Sequence, residues 1–498
     1  MSAQDTLPDS QRGVAPDAEN SHVGTATGSR LRGNLGTASV VFIVVAAASP
    51  LGVIGGPVPL GIALGNGTGF PFSYVVATVV LLLFSIGFTQ MTRFVPTAGA
   101  FYSYVGKGLG RGAGLGAACA ALLSYLALEA GVFGLFGPAL AELVSSYGGP
   151  TLPWWVWAAA GFAVVALLGH RNIQLSGKLL AILLLAEVAI VLVLDAVVVF
   201  SGGGPEGFAT GIVSPSEILS GAPGTGILFA ILSFVGFEAT AVFRDEVRDP
   251  DRTIPRATYL SLVAIGVFYT VSSWLLISAN GESRAVAEAT QNPGTILSAT
   301  TQTYLGAAGG HVVQLLFVTS LFACVLAFHN IASRYLFQLG RRGVLGQRLG
   351  LAHPRFEAPS NASAAAAVIV AVLVAAAVLL RLDPISQFYT WLGGIASVGV
   401  VLLLTATSVA VLVFFAREEH GGSRFRRRTA PALGLAGLLL FLAAILVNLP
   451  TLVGEDGYGP FSIGILVLLG AAFAVGPVLA RRLPHVSLDE ELGCQGLP

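Results

Sequence analysis

Hydrophobic residues in this chain run in long, nearly unbroken stretches rather than in the alternating pattern of a half-buried strand. A helix needs about 20 mainly apolar residues to cross the hydrocarbon layer of a bilayer. Read with that window, apolar stretches fall near 36–65, 70–91, 113–142, 153–170, 174–200 and 223–245. A second set follows near 256–279, 311–338, 363–381, 386–415, 431–451 and 460–480. Turn-rich or charged segments separate most of them. The pattern predicts an all-α membrane protein with about twelve transmembrane helices.

The two ends read differently. Residues 1–34 are polar and rich in Ser, Asp, Gly and Pro, the composition of a disordered tail. They do not form a signal peptide, because no basic region stands directly before a short apolar core. A second polar tail covers 483–498.

Composition agrees with the apolar pattern. The 498 residues are 54% hydrophobic and 10% charged, with a mean hydropathy of +0.80. Soluble chains carry about 25% charged residues, so too little polar surface exists here to clothe a water-soluble fold. A net charge of zero argues against nucleic acid as a partner and leaves membrane lipid and a small solute. Cys119, Cys324 and Cys494 have no spacing typical of a metal site or disulfide framework, and neither metal nor cofactor is expected.

Basic residues give the chain a direction. With the N-terminus cytoplasmic, 24 of the 26 Lys and Arg fall on the inner side, and only Arg284 and Arg381 fall outside. That asymmetry is the positive-inside pattern, and it predicts two cytoplasmic termini. The run Arg424 to Arg428 reads as a cytoplasmic loop near anionic headgroups. Trp154, Trp155 and Trp157 read as an interfacial aromatic belt at the outer end of the fourth helix. The preference for Arg over Lys points to a GC-rich bacterial genome and hence a bacterial plasma membrane.

Two helices are interrupted. The first contains Ser49-Pro50-Leu51-Gly52-Val53-Ile54-Gly55-Gly56-Pro57, where prolines remove backbone donors and glycines weaken the helix. The sixth contains Ser233-Phe234-Val235-Gly236-Phe237-Glu238. Freed backbone groups at membrane depth must be buried in protein or face a wet cavity. Interrupted helices at corresponding places in two five-helix halves predict an inverted-repeat transporter with a site at the midplane. Half-helix N-termini suit a carboxylate and loose carbonyls an ammonium, which together fit an amino acid. The alternative is that Pro and Gly only allow close helix packing.

Further motifs carry a resemblance. Phe94 to Tyr104 contains Pro96-Thr97-Ala98-Gly99-Ala100-Phe101-Tyr102; the sixth helix is followed by Asp245-Glu246-Val247-Arg248-Asp249-Pro250 and Ile254-Pro255-Arg256. Ser333-Arg334-Tyr335 and Gly340-Arg341-Arg342-Gly343 follow the eighth helix. In this order and spacing, from about Gly36 to Phe415, the chain resembles the amino acid–polyamine–organocation (APC) superfamily of transporters. The resemblance implies a LeuT-type fold with broken helices 1 and 6 and alternating access. Its repeats would run over 35–201 and 202–416, with helices 11 and 12 in 417–482. It implies that the backbone of Ser49, Leu51, Gly52, Val53, Gly55 and Gly56 takes the substrate carboxylate. Phe234, Val235, Gly236 and Phe237 would take the amino group and close an aromatic gate. The first motif departs from the family's Gly-x-Gly-Ile-Phe ending, reading Gly55-Gly56-Pro57-Val58-Pro59.

Carboxylates at bilayer depth cost roughly 2.5–3.5 kcal/mol each on insertion scales and mark functional sites. Glu187 falls where several proton-coupled relatives carry a fifth-helix lysine, so the resemblance implies a coupling position with its charge reversed. It reads either as a proton or cation site or as a structural carboxyl bonded to a neighbouring helix. Glu129 shares a helix face with Tyr125, one turn earlier, and would face the central cavity or a structural partner. Glu238 is expected to pin the broken helix or a gate. Asp195, near the outer end of its helix, is expected to be solvated, and His329 and Asn330 are polar at moderate depth. Asp245, Glu246, Arg248, Asp249 and Arg252 read as an inner gate network.

The function expected is secondary active transport of an amino acid or related amine, proton-coupled or by exchange. A non-transporting nutrient sensor or receptor on the same scaffold is the second reading. An enzyme is not expected: the chain has no His-Glu-x-x-His, Gly-x-Ser-x-Gly or P-loop pattern.

Overall fold

The computed structural model describes residues 36–95, 101–171, 177–238, 240, 247–354, 358–417 and 423–483. The N-terminal tail, the C-terminal tail beyond Leu483, the 96–100 part of the loop motif, and Asp245 and Glu246 of the expected gate network lie outside the described residues. Every regular element among those described is helical. Among the described residues, ten helices are long and apolar enough to cross a membrane, from Thr37–Gly55 to Pro460–Arg482. Two shorter apolar helices, Trp154–His170 and Pro223–Leu232, stand where the fourth and sixth crossings are expected.

Taken in chain order, the apolar helices give the candidate spans. Span 1 is Thr37–Ala47 continued by Pro50–Gly55 and Pro57–Gly61; span 2 is Pro71–Met91; span 3 is Arg111–Ser146. Span 4 is Trp154–His170, span 5 Gly177–Phe200, span 6 begins with Pro223–Leu232, and span 7 is Pro250–Asn280. Span 8 lies within Ile296–Arg341, span 9 is Ser360–Leu379, and span 10 is Thr390–Arg417 after a wide turn at Pro384–Tyr389. Spans 11 and 12 are Ala430–Val453 and Pro460–Arg482.

Proline sets many of these starts. Pro71, Pro223, Pro250 and Pro460 sit in the first turn of spans 2, 6, 7 and 12, where a missing N–H costs nothing. Two boundaries differ from the sequence expectation. Span 7 begins at Pro250 rather than near 256, and the eighth helix begins at Ile296 rather than near 311. The extra turns of the latter precede a kink at Gly306 (φ 75°), so an extramembrane helix and a span read as one element. Helices Phe101–Leu109 and Glu282–Gln291 are short connectors.

Spans 11 and 12 carry no sequence motif, yet glycine seats both. Gly434 of span 11 lies against the Phe84 backbone of span 2, where a Cβ would come within 2.7 Å of the amide nitrogen. Gly116 of span 3 and Gly476 of span 12 meet backbone to backbone. Such small-residue contacts let helices approach where lipid offers no hydrophobic drive to associate.

One end of the bundle gathers arginines. Arg93 pairs with Asp251 at 3.5 Å, Arg417 donates to the Gly108 carbonyl at 3.3 Å, and Arg342 lies over the Tyr102 ring.

Candidate functional site at the broken helices

Span 1 stops at Ala47 and restarts at Pro50, with Ser49 between them in the left-handed region (φ 49°, ψ 67°). L-residues adopt that conformation at a cost of about 1–2 kcal/mol, so surrounding contacts must hold it. Three helices do so. From span 7, the Tyr269 hydroxyl donates to the Ala48 carbonyl at 3.0 Å. From span 8, Ser320 Oγ lies 2.7 Å from Ser49 Oγ and accepts the Gly52 N–H at 3.2 Å. From span 5, Glu187 Oε2 accepts the Ser320 hydroxyl at 2.8 Å, and Glu187 also accepts the Leu51 backbone N–H. With the Ser320 proton directed at Glu187, Ser49 must be the donor to Ser320. One hydroxyl therefore joins the interruption of span 1 to a buried carboxyl.

Span 6 ends its first helix at Leu232 and turns through 233–238. Gly236 takes φ 111°, which a side chain would oppose. Glu238 folds back so that Oε2 accepts the Gly236 N–H at 2.9 Å, while Oε1 accepts the Tyr125 hydroxyl at 2.7 Å. Ser233 donates to the Phe229 carbonyl at 2.8 Å, and Tyr74 of span 2 donates to Ser233 Oγ at 3.0 Å. The Tyr74 and Tyr269 rings lie 5.4 Å apart between the two breaks. Span 2 thus ties span 6, and span 7 ties span 1.

A cavity of about 40 Å³ lies between the breaks. Of the residues singled out from sequence, Ser49, Gly52, Val53 and Val235 line it. The others do not. Leu51 is buried and reaches Glu187 through its N–H. Gly55 packs against the Phe317 ring and Gly56 against Leu135. Phe234 packs against both Tyr74 and Tyr269, and Phe237 lies edge-on to Phe84, and neither lines the cavity.

Tyr125 and Glu129 also depart from the expected cavity face. Tyr125 bonds Glu238, and Glu129 Oε1 lies 2.7 Å from His329 Nδ1, with both side chains fully buried. His329 Nε2 is 2.9 Å from Ser363 of span 9. The face of span 3 that meets the cavity is Leu128, Val132 and Leu135, spaced by one turn each. Residue 128 stands about 100° around the helix from 129, so one step of register separates the two readings. Span 8 contributes Leu321, Cys324 and Phe328 at the same spacing, and Tyr389 comes from the turn before span 10. Only that helical spacing could have pointed to them.

Asp195 corrects a further expectation. It is buried rather than solvated, accepting the Ser272 hydroxyl at 2.6 Å beside a small void lined by Ile54 and Thr300. At the end away from the arginines, a larger cavity of about 280 Å³ includes Glu142, Asn292, Gln314 and Asp383 in its wall. Leu135 lines both cavities, and Phe317, which packs on Gly55, lines the larger one.

Two interrupted helices flank a central cavity inside a bundle of apolar helices, which is the LeuT-type fold of a multi-pass membrane protein. The manganese transporter of Eremococcus coleocola has this fold: a histidine-to-alanine variant of it superposes with a TM-score of 0.56 at 14% identity, covering 91% of this chain and 99% of that one. The chain belongs to the amino acid permease family, which it matches over residues 35–471. It is 27% identical over 415 residues to the aromatic amino acid transport protein AroP of Escherichia coli O6:H1, covering 79% of this chain and 86% of that protein. It is 24% identical over 298 residues to the low-affinity putrescine importer PlaP of Escherichia coli K12, covering 58% of this chain and 63% of the importer. It is 25% identical over 322 residues to the branched-chain amino acid permease BcaP of Lactococcus lactis, covering 59% and 65%. The chain thus spans less than two thirds of the importer and of the branched-chain permease. The family is one of transporters, not enzymes.

Proposed function

We propose that the protein is a secondary active transporter that carries an amino acid or related amine across the bacterial plasma membrane by alternating access. The observation that carries this reading is the Ser49–Ser320–Glu187 chain of hydrogen bonds, which links the cavity-lining break in span 1 to a buried carboxyl. The substrate carboxylate docks at the restart of span 1 by displacing Ser320 from the Gly52 N–H, and its ammonium docks on the loosened segment at Val235 and Gly236. Glu187 is the coupling group. While ionised, it holds Ser320 by a charge-assisted bond, roughly twice as strong as a neutral one. A proton arriving on Glu187 removes that charge assistance, and the grip of span 8 on Ser49 and Gly52 weakens. Glu238 has the gate role, holding the turn at Gly236.

The repeats run over 35–201 and 202–416, a division supported by the reciprocal Tyr74–Ser233 and Tyr269–Ala48 ties. The arginine-rich end faces the cytoplasm, together with both termini. The relatives carry, by their names, a diamine, aromatic amino acids and branched-chain amino acids, and the proposed substrate class spans these.

The test is uptake of labelled amino acids and amines into proteoliposomes at two pH values. Accumulation that follows the proton gradient and is lost in Glu187→Gln supports the coupling role. Unchanged pH-dependent uptake in that variant removes it. Binding without accumulation or exchange would instead make the protein a sensor on a transporter scaffold.

A further inference from the structure

The central cavity has an apolar wall. Leu128, Val132 and Leu135 of span 3, Leu321 and Phe328 of span 8, and Val235 of span 6 supply most of it. Its polar side chains are the Ser49 hydroxyl, the Cys324 thiol and the Tyr389 phenol. Among the described residues, none that lines it carries a charged side chain.

The buried carboxylates of the surrounding helices are all turned to other partners. Glu187 faces Ser320 and Leu51, and Glu238 faces Tyr125 and Gly236. Glu129 faces His329, and Asp195 faces Ser272. A diamine brings a second ammonium at the far end of its chain, and a charge taken out of water without a counter-ion is strongly disfavoured. A zwitterionic amino acid carries both charges at one end, which meets the broken helices, where a carboxylate can replace the Ser320 hydroxyl on the Gly52 N–H. Its side chain alone then meets the apolar wall, where burial is favourable in proportion to the apolar area removed from water.

We infer that this cavity takes amino acids with uncharged, apolar side chains and excludes diamines and amino acids with charged side chains. The inference rests on the transport reading above and narrows its substrate class.

The experiment uses the full chain in proteoliposomes, with L-leucine, L-valine, L-phenylalanine, L-lysine, L-glutamate and putrescine as probes. Apolar amino acids in hundredfold excess are expected to cut uptake of a labelled apolar substrate at least tenfold, and the three charged probes less than twofold. Putrescine or lysine competing as well as leucine overturns the inference while leaving the transport reading intact. A second readout does not depend on transport. With Cys119→Ala and Cys494→Ala in place, Cys324 is the remaining thiol. Apolar amino acids are expected to slow its alkylation by N-ethylmaleimide at least threefold, and putrescine to leave it unchanged. Equal protection by putrescine, or competition for uptake without any protection, overturns the assignment to this cavity. If no probe is accumulated or exchanged, the transport reading fails, and Cys324 protection alone decides the inference.

Discussion

The two interrupted helices meet one physical demand by different means. Each exposes backbone groups at a depth where water cannot satisfy them, and each begins with Ser-x-x-Gly. In span 1 the serine takes the left-handed conformation; in span 6 the glycine does. Span 1 is held from outside, by Ser320, Tyr269 and Glu187 on three other helices. Span 6 is held largely by its own Glu238, with Tyr125 and Tyr74 in support. Symmetry of sequence at the breaks is therefore not symmetry of conformation. The span 1 break is held through a carboxyl on another helix, Glu187, whereas the carboxyl at the span 6 break is its own, and coupling is proposed at the former.

Reversing glycine and side chain at the two left-handed positions gives the largest contrast. Gly236→Ala places a Cβ at φ 111°, at a cost of about 1–3 kcal/mol, and is expected to lower uptake at least tenfold. Ser49→Gly relieves strain at φ 49° and should be about 1 kcal/mol more stable than Ser49→Ala, which keeps the strain and loses the same hydroxyl. Thermal unfolding in detergent reads both, and equal stability of the two Ser49 variants would remove the distinction between the breaks.

The next contrast removes one hydroxyl at each break. Ser320→Ala deprives Glu187, Ser49 and Gly52 of a shared partner, whereas Tyr125→Phe deprives only Glu238. Each leaves buried polar atoms short of partners, at about 1–3 kcal/mol per unsatisfied group. Ser320→Ala is expected to flatten the pH profile of uptake, and Tyr125→Phe to scale uptake down without changing its shape. The opposite assignment would move the coupling site to span 6.

The smallest effect comes from a carboxylate that caps backbone outside the membrane. Glu455, before span 12, accepts the Ser462 hydroxyl and the N–H groups of Gly459, Phe461 and Ser462. The Ser462 hydroxyl, and then the backbone donors, hold its carboxyl below the usual carboxylate range. Its contribution to stability is therefore complete above the unfolded value of ~4.3 and is lost as pH falls through the lower folded value. Glu455→Gln should flatten that acid limb in thermal unfolding and leave uptake near neutrality unchanged. It serves as the solvated counterpart of Glu238.

The class of molecule and the places where its helices fail are legible in the chain alone. Apolar run length is read directly against bilayer thickness, and Pro50, Pro57 and Gly236 act on their own backbone, so spans and breaks are local properties. That Glu187 and Glu238 need buried partners is legible for a similar reason: carboxylates at that depth are costly wherever the chain goes. Packing settles the rest. Which face of span 3 meets the cavity turns on one step of helix register, so Leu128, Val132 and Leu135 could not be told from Tyr125 and Glu129 beforehand. The partner of each carboxylate lies far along the chain, with Ser320 at 133 residues from Glu187 and His329 at 200 from Glu129. Buried polar groups in lipid must find a partner, but a single sequence does not record which helix brings it. The broken helices are written in the chain; what they grip is set by how the helices pack.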